Sequence, residues 1–251
     1  MIDYSIDYSI DYTIDYMSYC LSGVQFYDRG EYDYAVHYLK KSFIYDDPST
    51  HGKAHYYLAL IYKNPSHVNL YDIVKARDHL IESGRLGYSQ AYFHLGLLYE
   101  NGKGILHKNI KKAIKYYECG AALNNADCLL NLGVIYDEPK PGVRRNQAKS
   151  FDLFQRAAAL GDIDAKYNLA LMYENGEFVR KDIVKAMKQY CDAGLYPNPE
   201  YVRSLDFVKA NEIKRCSHSN EKSMGNSMGN SMVNSRESLQ NQIYHYLNGK
   251  I

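Results

Sequence analysis

The chain has 251 residues, 46% of them hydrophobic, with 30 basic and 29 acidic side chains and a formal net charge of +1. That length is ample for a buried core. The charges are interleaved without a basic stripe, which argues against nucleic acid as a partner, and no apolar run approaches the roughly 18 residues of a membrane span. The start, Met1-Ile2-Asp3-Tyr4, lacks the basic and apolar regions of a secretory signal. The five cysteines are odd in number and scattered. The triplet Asn64-Pro65-Ser66 is no glycosylation acceptor, because proline occupies its middle position. These features predict a reducing, cytoplasmic setting.

Residues 1–16 form a tail built on Ile-Asp-Tyr-Ser/Thr, with Ile or Tyr at each even position from 2 to 16 and Asp, Ser or Thr at each odd one between. Period two suits an amphipathic strand that could pair with a partner's sheet edge. The same composition suits a solvated low-complexity tail, and an extension of the first helix is a third reading. Next, Tyr27-Asp28-Arg29-Gly30-Glu31-Tyr32-Asp33-Tyr34-Ala35-Val36 resembles the turn into the second helix of a tetratricopeptide repeat. Residues 17–53 are therefore expected to form a first helical hairpin.

From Ala54 a pattern returns every 37 residues: Ala54-x3-Leu58-Ala59-x2-Tyr62, Ala91-x3-Leu95-Gly96-x2-Tyr99, Cys128-x3-Leu132-Gly133-x2-Tyr136 and Ala165-x3-Leu169-Ala170-x2-Tyr173. These positions share one face of a helix, two small and two large, so a neighbouring helix can approach closely. This is helix A of each unit. A helix B follows, marked by Ala76-x3-Leu80, Ala113-x3-Tyr117 and Ser150-x3-Phe154 at the same spacing, and by Ala186-x3-Tyr190 one residue early. Asn64-Pro65, Asn101-Gly102, Pro139-x-Pro141-Gly142 and Asn175-Gly176 mark the A-to-B turns. Gly84/Gly87, Asn124-Asn125 and Gly161-Asp162 are expected to stop helix B. The repeats are thus 54–90, 91–127, 128–164 and 165–199. One hairpin cannot bury its apolar face alone; stacked hairpins make an all-α solenoid. Beyond them, 200–217 is expected to be a degenerate capping helix, 218–235 a low-complexity linker with Ser-Met-Gly-Asn repeats, and 236–251 a short helix.

Ala91–Gly104, AYFHLGLLYENGKG, and Ala165–Gly176, AKYNLALMYENG, resemble the SEL-one-like repeat family, relatives of the tetratricopeptide repeat. The resemblance spans about residues 54–195 and rests on spacing and residue type together. It departs at Cys128, at the proline-rich third turn and at the glycine-free first one. It implies a right-handed α/α superhelical solenoid and a non-catalytic scaffold or adaptor that binds a protein or peptide partner.

The far face of helix A carries Tyr56, Phe93, Leu130 and Tyr167 at one offset and Tyr57, His94, Asn131 and Asn168 at the next. In proteins of this type that surface lines a concave groove. Rings would supply apolar area to an extended peptide, and the Asn amides could pair with its backbone. Glu100, Asp137 and Glu174 at one edge would favour a basic peptide. The alternative is that the rings pack on helix B of their own repeat, which apolar Leu60, Leu97, Val134 and Leu171 nearby would suit.

Cysteine-bridged secreted relatives suggest a rival, a hydrolase or binder of cell-wall compounds. Here only Cys119 and Cys128 flank a link, and two small buried thiols are the expected arrangement. Self-assembly through residues 2–16 is a further alternative. With no HExxH, paired Cys-x2-Cys, P-loop, GxSxG or dinucleotide fingerprint, neither metal nor cofactor is expected.

Overall fold

A computed structural model describes residues 18–67, 69–102 and 106–194. The expectations for residues 1–16, 200–217, 218–235 and 236–251 lie outside the described residues. The helices are α1 (Tyr19–Asp28), α2 (Tyr32–Tyr45), α3 (His51–Tyr62), α4 (Ile73–Arg85), α5 (Ser89–Asn101), α6 (Ile110–Ala122), α7 (Ala126–Asp137), α8 (Gln147–Ala159), α9 (Ile163–Asn175) and α10 (Ile183–Asp192), with a 3-10 turn at Pro48–Thr50. The fold is an all-α helical repeat solenoid in which A helices (α1, α3, α5, α7, α9) alternate with B helices. The chain divides into two compact units, Met1–Cys128 and Leu129–Ile251.

Each hairpin from α3 onward is closed by the same device. The N-cap residue of helix B, Asp72, Asn109, Asn146 or Asp182, donates its backbone N–H to the carbonyl of the repeat tyrosine, Tyr62, Tyr99, Tyr136 or Tyr173, at 2.8, 2.7, 2.8 and 2.8 Å. The side chain of that cap accepts from the backbone N–H of Lys75, Lys112, Lys149 or Lys185, satisfying one of the orphan donors of the first turn. The same lysine lays its ammonium over the repeat tyrosine, at 5.9, 5.1, 4.2 and 5.4 Å from the ring centre, a favourable cation–π geometry. One Asx-x-x-Lys segment thus starts helix B and ties it to helix A. The fourth turn is one residue shorter, as the early Ala186 predicts, and keeps the same closure.

Small residues set the approach of A to B. In the first unit, an added Cβ on Gly96 would collide with the Tyr117 ring, which is fully buried. In the second unit, Gly133 meets the buried Phe154 ring in the same way. Leu58, Leu80 and Leu95 fill the core of the first unit, and Leu132, Phe154 and Met187 that of the second. Each such side chain contributes about 1.5–3 kcal/mol by leaving water.

The links from B to A turn through the left-handed region at Gly87, Asn124 and Gly161, with φ of 85°, 54° and 96°. Glycine adopts this region without cost, and asparagine is the next most tolerant residue. Gly84 is not a helix stop. It lies inside α4, buried where an added Cβ would meet the Tyr92 ring; its role is close approach, and Gly87 alone makes the turn.

Candidate protein-interaction face

In the first unit the far faces of successive A helices meet. Tyr27 of α1 packs edge-on against Tyr57 of α3 at 5.0 Å between centroids, and Tyr57 is edge-on to Tyr56 at 5.5 Å. Tyr56 lies 5.5 Å from His94 of α5, and His94 lies 5.2 Å from Phe93. Tyr88, the residue before α5, adds a ring 4.8 Å from Tyr56. These rings form a contiguous row across three A helices. Tyr56, Tyr57, Phe93 and His94 are all partly exposed.

A polar network fixes the centre of the row. Lys63 Nζ lies 2.9 Å from His94 Nδ1, and His94 Nε2 lies 3.1 Å from the Tyr56 hydroxyl. The lysine amine donates, so Nδ1 accepts and the ring proton sits on Nε2, facing Tyr56. Burial, with Lys63 adding to it, lowers the His94 pKa to about 4. Burial, reinforced by Tyr88 and Tyr57, raises Tyr56 to about 12. At neutral pH the face presents neutral imidazole and phenol beside Lys63 and Lys53, the latter over the Tyr57 ring.

In the second unit Leu130, Asn131 and Asn168 are partly buried and Tyr167 is 41% exposed. Tyr167 packs against Tyr190 of its own helix B at 5.7 Å. Asn168 donates from Nδ2 to the Asp164 carbonyl at 2.9 Å, within its own helix.

The edge acids are positioned differently from the expectation of a surface for basic peptide. Glu100 accepts the Tyr117 hydroxyl at 2.9 Å, and Glu174 accepts the Tyr190 hydroxyl at 2.6 Å. Asp137 lies 3.6 Å from Arg145. The three acids tie A helices to B helices or to the turn; the tyrosine hydroxyls leave the charges of Glu100 and Glu174 in place, and Asp137 faces Arg145.

Cys119 is exposed, not buried as expected of both thiols, because it lies on the outer side of α6. Cys128 is buried, and burial raises its thiol to about 12, so it packs as a small apolar group. Cys20, Cys119 and Cys128 are free thiols. Among the described residues no group of three or more His, Cys, Asp or Glu side chains is placed to hold a metal ion, and no helix is long and apolar enough to cross a membrane.

One feature escaped the sequence reading. His55 and His79 face each other between α3 and α4, Nδ1 to Nδ1 at 2.7 Å. Phe43 lies 4.4 Å from His55, and Tyr62 stacks on His79 at 5.6 Å. Burial, then His79, lowers His55 to about 4; burial, then Lys40, lowers His79. The signal was available: His55 is one residue after a helix-A alanine and His79 three after a helix-B alanine, which turns both toward the hairpin interior.

The family model described as Sel1 repeat matches residues 52–88, 89–125, 126–162 and 163–188. A crystal structure of a Sel1 repeat protein from Oxalobacter formigenes superposes with a TM-score of 0.61 at 23% identity, covering 80% of this chain and 84% of that one. The structure of c5321, described as a protective antigen of uropathogenic Escherichia coli with an SLR fold, gives a TM-score of 0.58 at 20% identity. That match covers 84% of this chain and 48% of the antigen. No curated protein matches the sequence.

Proposed function

The chain belongs to the Sel1 repeat family, and from that premise we propose that it is a non-catalytic scaffold or adaptor that grips an extended segment of a protein partner on the far face of its A helices. Sel1 repeat proteins are generally protein-interaction scaffolds. The observation that supports the finer reading is the row Tyr57–Tyr56–His94–Phe93, in which partly exposed rings from neighbouring A helices touch one another and His94 is held by the Tyr56 hydroxyl and Lys63. A row fixed before binding loses little side-chain freedom when a ligand arrives. Rings offer apolar area without demanding one ligand sequence, and Asn131 and Asn168 would supply amides for the ligand backbone. On this reading the ligand is held by its backbone and apolar side chains.

Affinity capture tests this with wild type, a Tyr57→Ala, Phe93→Ala variant and an Asn131→Ala, Asn168→Ala variant, all matched for helical content. A protein captured by wild type should bind each variant about tenfold more weakly, the scale of one interface hot spot. Equal capture by all three would reject the A-helix face.

A further inference from the structure

The first hairpin carries a second aromatic surface, on the side turned away from the next repeat. On α2, Phe43 packs against His51 and His55 of α3 at 5.4 and 4.4 Å. Tyr34, Tyr38, Lys41 and Tyr45 follow one another at helical spacing and form a stripe on the opposite side of that helix. On α1, Tyr19 and Phe26 share the facing stripe. The rings interleave: Tyr34 with Phe26 at 5.4 Å, Phe26 with Tyr38 at 5.0 Å, Tyr38 with Tyr19 at 6.2 Å and Tyr19 with Tyr45 at 5.3 Å. Five rings thus run the length of the hairpin.

The middle rings of this strip, Phe26 and Tyr38, are buried between α1 and α2, its ends are open, and two cations stand over it. Tyr34 is 37% exposed and Tyr45 65%, and Ile44 beside Tyr45 is 75% exposed. Arg29 stands over Phe26 at 5.9 Å, and Lys41 stands over Tyr19 at 5.4 Å and Tyr38 at 5.8 Å. The hairpin turns Tyr34, Tyr45 and Ile44 toward solvent. Such a face calls for a cover.

The described chain starts at the Tyr45 end of the strip. Ser18 Oγ bonds Asp46 Oδ2 at 2.6 Å, and the Tyr19 and Cys20 amides donate to the same carboxylate. Ser18 is thereby held at the end of the strip that carries Tyr45. The preceding residues carry Ile or Tyr at every even position from 2 to 16, and Asp at 3, 7, 11 and 15. The α2 helix has 14 residues, about 20 Å at 1.5 Å per residue; an extended chain of about seven residues spans that distance. The acidic residues match Lys41 and Arg29 in charge.

We propose that about seven residues from within the segment 2–16 of the same chain dock on this strip and cap the first hairpin, burying their Ile and Tyr side chains against Tyr45, Tyr19 and Tyr34. A segment bound this way is linked to its site, so a modest surface suffices. The inference is independent of what the A-helix face binds.

Amide hydrogen exchange on the full chain tests it, with sedimentation at each concentration. Amides within residues 2–16 should exchange at least about tenfold slower than in the same sequence as a free peptide, as expected for an element held by a few buried side chains. The slowing should be independent of protein concentration. Ile44→Asp, Tyr45→Asp should remove it while the α3 and α4 amides stay protected, and Lys41→Glu alone should reduce it about threefold. Free-peptide rates in the wild-type chain would overturn the proposal. So would slowing that appears only as dimers form, which assigns the strip to a second copy, or slowing unchanged by the Ile44 and Tyr45 substitutions in a variant that keeps its α3 and α4 protection.

Discussion

Gly96 and Gly133 occupy the same place in successive repeats, and each leaves room for a ring that is itself buried on all sides. A methyl group at either position has nowhere to go, because Tyr117 and Phe154 cannot swing into solvent. Gly96→Ala should cost about 1–3 kcal/mol, the usual range for overpacking, read as a lower denaturation midpoint in urea. The histidines give a second prediction. His55 and His94 each have a folded pKa of about 4 against about 6.5 in an unfolded chain. The unfolded state therefore takes up protons first as pH falls. The histidine contribution should be full above about pH 6.5 and lost by about pH 4, as these imidazoles are forced to charge. His79, facing His55 beside Lys40, Asp78 and Lys75, contributes with the same sign. Urea midpoints measured between those limits should show the slope, and His94→Gln should make it shallower.

At the scale of the element, the helix pairs were legible because their packing residues recur at a fixed interval, and small-large pairs on one helix face have few other uses. The closing device was equally open to view and was overlooked. Asp72, Asn109, Asn146 and Asp182 recur with the repeat, three residues ahead of Lys75, Lys112, Lys149 and Lys185, an N-cap signature. Asn109→Ala should destabilise the protein by about 1 kcal/mol, whereas Asn109→Asp should be nearly neutral; thermal melts of the two variants decide it. What sequence could not supply was the rotation of one helix against the next. Glu100 and Glu174 sit at the edge of the far face, and only the A–B angle shows that the Tyr117 and Tyr190 hydroxyls reach them. Cys119 came out exposed for the same reason, since its neighbours along α6 do not reveal which flank the hairpin covers. Gly84 was misassigned because glycine serves both turns and close approach, and its φ tells the two apart.

For the whole molecule, repetition explains both what holds the chain together and what it can offer to others. Every described hairpin from α3 on closes in the same way, so A helices present equivalent positions at regular intervals, and variation at those positions is free to serve binding. In the first unit that variation yields Tyr57, Tyr56, His94 and Phe93 in one row; in the second it yields Tyr167 and Asn168, with Tyr167 partly committed to its own helix B. The most direct test of the A-helix face is photo-crosslinking in the native lysate, with a photoreactive phenylalanine analogue at position 93 in one protein and at the exposed α6 position 115 in another. The account predicts adducts with a discrete protein from position 93 and none of that protein from position 115. The same adduct from position 115, with none from position 93, would place the working surface on the B helices and contradict the account.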